Sequence, residues 1–185
     1  MQISEPAEYV LLGLLYSQPM HGYEMFQQLE HGILGQIVHL EMSQMYAFLK
    51  KLERLHYIEA ELEPQGIRPP RRIFHLTDEG RDVFLSWLIR PVDKPRDIRI
   101  LFLIQLYFVQ RFLPEQTSSL VERQIEACRR FLAHLEAQSS GNGHKITVDD
   151  AAFFNHVVLR SRTYQTRALL EWLHELRSGV GITST

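Results

Sequence analysis

Ser43, Gln44, Tyr46, Ala47, Lys50 and Arg54 fall on one side of the run MSQMYAFLKKLERL when it is wound at about 100° per residue. Met45, Phe48, Leu49, Leu52 and Leu55 fall on the other and make an apolar stripe. Small or polar residues in the first turn and cations later in the helix are what a helix needs to approach base edges and then meet phosphates. A second cationic group, Arg68, Arg71 and Arg72, brackets Pro69 and Pro70, and guanidinium groups at such a tip can reach phosphates or a minor groove. Either group, alone, also fits a face that is merely solvated. The surrounding elements have to decide between the two readings.

Those elements follow a recognisable order. Pro6 suits a helix's first turn, and the apolar run from Tyr9 to Leu15 predicts a short helix stopped by Ser17, Gln18 and Pro19. A second helix is expected from about His21 to His31, with Gly32 as its C-cap. ILGQIV lacks a convincing helical period, and Ser43 is the candidate N-cap of the next helix, which should stop near His56. The run from Tyr57 to Leu62 reads as a strand closed by Pro64, Gln65 and Gly66; GIRPP reads as loop and RRIFHL as a second strand. Thr77, followed by Asp78 and Glu79, caps a further helix. Helices, a hairpin and a helix in that order predict a winged helix-turn-helix over residues 1–90.

RPVDKPRD breaks the period, so residues 91–96 read as a linker, followed by a helical domain over 97–178 and a tail at 179–185. The first helix there runs from about Asp97 to Phe112, and Pro114 opens the next. Val121, Ile125, Cys128, Leu132 and Leu135 form a heptad seam. SSGNGHK is a flexible loop, and Asp149 and Asp150 start a last helix lined by Phe154, Val157, Tyr164, Ala168, Trp172 and Leu176. One such hairpin leaves apolar surface for a partner, so Val121, Ile125, Leu132, Leu135, Phe154, Val157, Ala168 and Leu176 are the expected dimerisation residues. The fold class is therefore mainly α, a winged helix-turn-helix plus an α-helical dimerisation domain.

The 185 residues carry a formal charge of −2, and within residues 1–90 eight lysines and arginines stand against twelve acids, leaving −4. A generic nucleic-acid coat is disfavoured; a specific dimer presenting two basic edges is compatible. Cys128 is alone, so no intramolecular disulfide can form, and a reducing cytoplasm is the expected compartment. IRILFLIQLYFVQRF is too short and too interrupted by charge to span a bilayer, so no membrane role is expected. Nine scattered histidines without HExxH or CxxC spacing, and no Walker, dinucleotide or nucleophile-elbow pattern, lead to no expected metal, cofactor or catalytic residue.

LLGLLYSQPMHGYEMFQQLE, then MSQMYAFLKKLERLHYIEAE, then RRIFHLTDEGR resembles the PadR family of winged-helix transcriptional regulators over about the first ninety residues. The HGYE turn, the tyrosine before Leu-Lys-Lys-Leu-Glu and the Leu-Thr-Asp-Glu-Gly after the hairpin carry the resemblance. Where the family often has Thr-Leu-Tyr at the start of its recognition helix, this chain has Gln44, Met45 and Tyr46. The resemblance implies Tyr23, Tyr46 and Lys50 as phosphate contacts, with the wing arginines on backbone or minor groove. It implies a homodimer in which the C-terminal helices embrace the partner, and raises a small-molecule effector, because some members sense phenolic or drug-like compounds.

Together these readings give a repressor of transcription that binds a two-fold-related site on double-stranded DNA, with Ser43, Gln44 and Ala47 as sequence readers. Trp87, Phe102, Tyr107, Tyr164 and Trp172, with Phe108, are either aromatic core or the wall of an effector pocket at the dimer interface. Two other classes stand beside this one: a winged-helix protein-interaction module that does not touch DNA, and a ligand carrier or enzyme, for which no convergent acid, base or nucleophile is present.

Overall fold

A computed structural model describes residues 3–66, 68–139 and 151–179; the expected SSGNGHK loop after Ser139, which ends a helix, the helix start at Asp149 and Asp150, and the tail beyond Gly179 lie outside these. Among the described residues eight α-helices and three short strands are arranged as α1 (Pro6–Ser17), β1 (Met20–His21), α2 (Gly22–His31), α3 (Ile33–Ile37), α4 (Met42–Arg54), β2 (Ile58–Gln65), β3 (Arg68–Leu76), α5 (Asp78–Leu88), α6 (Pro95–Phe112), α7 (Thr117–Ser139) and α8 (Ala151–Gly179), with a 3-10 turn at Pro114–Gln116. Among the described residues no helix is long and apolar enough to cross a membrane.

The chain divides into two compact units. The first runs to Ile89 and also takes in Ile100–Phe112; the second takes Arg90–Arg99 and the described chain from Leu113 on. In this division most of α6 groups with the winged helix-turn-helix, whereas the sequence reading put it with the helical domain over 97–178. The physical reason is aromatic. Phe108 stacks on Phe112 and meets Phe84 of α5 edge-on at 5.4 Å, while Phe112 lies 4.7 Å from Tyr16 of α1. Gly13 of α1 makes room for it: a Cβ there would sit 2.3 Å from the Phe108 ring.

In the first unit, α1 is buried almost all round, from Ala7 to Leu15, and α4 packs its apolar stripe inward: Met45, Leu49 and Leu52 are at most 1% exposed. Glu8 is fully buried in this core. Its carboxylate accepts backbone N–H bonds from Ser4 (2.8 Å) and Glu5 (3.2 Å), capping α1, and its other oxygen meets the Lys51 ammonium of α4. Buried carboxylates persist only with such partners.

The N-cap of α4 is Glu41 rather than Ser43. The Gln44 side chain reaches back to accept the Glu41 N–H at 3.1 Å, a reciprocal cap that starts the helix two residues early. At the other end His56 adopts a left-handed φ of 59°, and the N–H groups of His56 and Tyr57 return to Glu53 and Leu52, a Schellman closure made without glycine. ILGQIV, expected as irregular, contains the short helix α3, which buries only Leu34.

The three strands form an antiparallel sheet in the order β1-β3-β2. The GIRPP segment is not all loop: β3 already begins at Arg68, pairing with Gln65, and Gly66 takes the turn with a left-handed φ of 64°. Two prolines are tolerated because β3 has only β2 beside it at that height, β1 pairing just with Ile73 and Phe74.

The second unit is built on the antiparallel hairpin of α7 and α8. Val121, Ile125, Cys128 and Leu135 of α7 are buried within the chain, as are Thr166, Leu170 and Leu173 of α8. Leu132 and Leu176 are half-buried, whereas Phe154, Val157, Tyr164 and Ala168 point outward. The seam is therefore intramolecular on α7, and the apolar residues left for a partner are on α8. Gln124, fully buried, accepts the Val92 N–H at 2.7 Å and donates to the Val92 carbonyl at 3.0 Å, so the segment read as a linker is fastened to α7.

Lys51→Met is expected to cost about 3 kcal/mol in denaturant unfolding, since it leaves the Glu8 carboxylate buried without its cation. The double variant with Glu8→Gln should recover most of that loss; no recovery would show that the pair is not what holds α4 to α1.

Candidate nucleic-acid interface

All six residues of the outer α4 face, Ser43, Gln44, Tyr46, Ala47, Lys50 and Arg54, are exposed. The cause lies on the inner face. Successive helical residues are about 100° apart, so a helix that turns Lys51 inward to Glu8 turns Lys50 outward. Two adjacent lysines thereby receive opposite tasks, and Lys50 has no side-chain partner among the described residues.

Beside this face lies a groove of about 590 Å³ lined by His21, Gly22, Tyr23, Tyr46, Arg71 and Phe74, among others. It gathers residues from three elements: the start of α2, the middle of α4 and the strand β3. Tyr23 is 60% exposed, so its ring is not part of the core. Tyr46 packs its ring over Gly22, where a Cβ would come within 2.9 Å of the phenol oxygen. The glycine thus sets how closely α2 and α4 approach at the point where both tyrosines emerge.

His21 joins the start of α2 to the wing. Its Nδ1 donates to the Arg72 carbonyl at 3.0 Å, its Nε2 lies 3.1 Å from a Glu63 carboxylate oxygen, and its own N–H is capped by Glu24 at 2.9 Å. Sequence reasoning passed over this clamp, although the spacing of His21 and Glu24 in HGYE is that of a reciprocal helix cap.

The wing is less basic than its arginines suggested. Arg72 is drawn to Glu53 of α4, 2.5 Å away, and lies over the Phe74 ring at 5.1 Å. Arg71 projects from the opposite face of β3 and is exposed, with no side-chain partner among the described residues. The side chain of Arg68 lies outside the described residues. Across from β3, Glu59, Glu61 and Glu63 follow one another on one face of β2, opposite His75, Ile73 and Arg71. The cationic group at the wing is thus a mixed surface, because the register sets Glu63 opposite Arg71 and Arg72 turns to Glu53.

The residues named for an aromatic core or pocket fall in two different units. Trp87 stacks on Tyr9 at 3.9 Å and Phe102 and Phe108 are buried, all as core of the first unit, with Tyr107 half-buried against Phe108. Trp172 and Tyr164 belong to the second unit, where Tyr164 is exposed and bonded to Arg160 at 2.7 Å. Among the described residues no three of histidine, cysteine, aspartate and glutamate group as a metal would require. Burial pushes the Cys128 thiol up from its ordinary value, against a lowering contact from Gln124.

Residues 11–85 match the transcriptional regulator PadR-like family and residues 98–179 match the family described as virulence activator alpha C-term. A curated relative, the negative transcriptional regulator PadR of Bacillus subtilis (strain 168), is 24% identical over 172 residues, 91% of this chain and 94% of that protein. Among solved structures, Bacillus subtilis PadR in complex with operator DNA is similar over 97% of this chain and 100% of that one, with 23% identity and a TM-score of 0.48. The same protein in complex with p-coumaric acid is similar over 94% and 98%, with 23% identity and a TM-score of 0.44.

Gly22→Ala is expected to leave stability within about 1 kcal/mol of the parent, the helix gain from alanine offsetting the local crowding. It should nevertheless shift the ring resonances of Tyr46 in NMR spectra; unchanged Tyr46 resonances would refute the contact.

Proposed function

The chain belongs to the transcriptional regulator PadR-like family, and from that membership we propose that it binds a two-fold-related operator on double-stranded DNA as a homodimer and represses transcription there. The observation that carries the reading is the groove shared by Tyr23, Tyr46 and Arg71, drawn from α2, α4 and the wing, with exposed Lys50 one turn beyond Tyr46 on α4, and with Lys50 and Arg71 free of acid partners among the described residues. In this reading α4 lies in the major groove. Ser43 and Ala47 meet base edges, Gln44 offers its amide NH₂ while its oxygen caps α4, and Tyr23, Tyr46, Lys50 and Arg71 hold phosphates. Arg54 extends the backbone contacts beyond them, and Arg72 serves the wing's attachment to α4 before it serves DNA.

The dimer is assigned to the outward face of α8, where Phe154, Val157, Val158 and Tyr164 are each at least 44% exposed. Apolar surface of that extent on one helix face is the mark of a protein contact. The regulator works in the cytoplasm, and a small aromatic effector that favours one dimer geometry shifts its DNA affinity; p-coumaric acid is a direct probe. A second reading, as a protein-interaction module, draws on the acidic face of Glu59, Glu61 and Glu63 and predicts no retention on random DNA at low salt.

Fluorescence anisotropy against genomic fragments selected by binding tests the first reading. Lys50→Ala should weaken all bound sequences alike and shallow the dependence of log affinity on log salt by about one per protomer; an unaltered slope removes Lys50 from the phosphate contacts. Val157→Asp should convert the dimer to a folded monomer in sedimentation velocity, whereas a dimer with unchanged dissociation would place the interface elsewhere.

A further inference from the structure

His21 presents both of its ring nitrogens to acceptors. Nδ1 lies 3.0 Å from the Arg72 carbonyl oxygen, and Nε2 lies 3.1 Å from a carboxylate oxygen of Glu63. A carbonyl and a carboxylate only accept, so each contact needs an N–H on the ring side. A neutral imidazole has one N–H, and whichever nitrogen holds it, the other sets a lone pair against an oxygen. Only the imidazolium satisfies both contacts at once. The side chain is 17% exposed, so little water reaches the ring to relieve such a clash.

The charged groups around the ring make its proton matter. From α2, the Glu24 carboxylate accepts the His21 backbone N–H at 2.9 Å; the Glu24 N–H lies on the ring's side in a reciprocal cap, without a side-chain cap hydrogen bond, and is the donor that a deprotonated Nδ1 would take up. From β2 come Glu63 and Glu61, the latter 3.6 Å from His75. From β3 come Arg71 and Arg72, and Arg72 is engaged by Glu53. From α4, Tyr46 lines the same groove. The balance turns on Glu63. It stands directly opposite Arg71 in the ladder of β2 and β3, a register that sets the two side chains on one face within reach of each other. Its carboxylate is turned to His21 instead, and Arg71 is exposed without an acid partner among the described residues.

We propose that His21 is a positioning residue that acts as an imidazolium: by holding Glu63 it leaves Arg71 to a phosphate, and operator affinity rises as the pH falls. The coupling rests on the regulator reading above, in which Arg71 holds phosphate; the clamp itself stands on His21, Glu63 and Arg72. When the ring loses its proton, the charge of Glu63 is uncompensated and Arg71 is the cation opposite it. Phosphate competes with Glu63 for Arg71, so DNA favours the protonated ring. Binding therefore takes up a proton, and affinity is lost as the pH rises through the range of about 5 to 8 in which histidine changes charge.

The test is operator anisotropy at constant salt from about pH 5.5 to about pH 8.5, spanning that range. The parent should lose about fivefold in affinity, the scale of one exposed ion pair. His21→Gln, neutral throughout, should lose most of the pH dependence and bind as the parent does at high pH. Glu63→Gln should keep the parent's low-pH affinity across the range, since no acid then faces Arg71. His31→Gln, at the exposed end of α2, should behave as the parent. NMR of the ring nitrogens in the full-length protein should show both protonated at the low end of the range, with His21 resonances that move in Glu63→Gln. Undiminished pH dependence in His21→Gln, a Glu63→Gln variant that still weakens with rising pH, or a singly protonated ring at the low end would each overturn the proposal. A parent that binds DNA equally at every pH sinks the coupling and leaves the regulator standing. A parent that binds no DNA at any pH sinks the regulator and the coupling together, and the ring signals then decide the clamp by themselves.

Discussion

The ion pair between Glu8 and Lys51 fixes the rotation of α4, and everything presented to solvent by that helix depends on it. A carboxylate with no exposed surface cannot remain charged without a cation and hydrogen-bond donors around it. Glu8 has both, two backbone N–H groups at the start of α1 and the ammonium of α4. Met45, Leu49 and Leu52 define which side of α4 is apolar, but an apolar stripe tolerates some rolling; a charge pair of fixed length does not. The orientation of Tyr46 and Lys50 is the consequence.

The wing is tied in by the same kind of chemistry. Arg72 to Glu53 joins β3 to the last turn of α4, and His21 joins the start of α2 to Glu63 of β2 and to the backbone of β3. Exposed pairs of this sort contribute little to stability singly. Their value here is geometric, because they converge on the groove where Tyr23, Tyr46 and Arg71 emerge. In Leu-Lys-Lys-Leu-Glu, neighbouring residues therefore serve the surface, the core contact to α1 and the wing, in that order for Lys50, Lys51 and Glu53.

The helical unit uses its polar residues differently. Buried Gln124 replaces a missing backbone partner for Val92, satisfying both its N–H and its carbonyl. That fastening brings the 94–96 segment to the hairpin, where it forms one wall of a cavity lined also by Phe131 and Arg162. What reads as a proline-rich linker is an anchored strand of chain.

Much of the first unit was legible because its signals are local. Apolar period, Pro6 at a helix start, Gly32 at a helix end and the Thr77 cap each act within a few residues, and the winged order followed from them. The outer face of α4 was legible for the same reason. What only the tertiary structure decided are the pairings between distant residues. Lys50 and Lys51 are chemically alike, and their roles separate only because Glu8, forty residues away in the chain, lies on one side. Arg71 and Arg72 separate because alternate residues of a strand face opposite ways once β3 has its register with β2. Of the aromatic residues read as core or pocket, Phe102 and Phe108 are core, and a cavity of the second unit is lined by Lys94, Phe131 and Arg162, since a cavity is defined by what fails to fill a space and no local pattern records that.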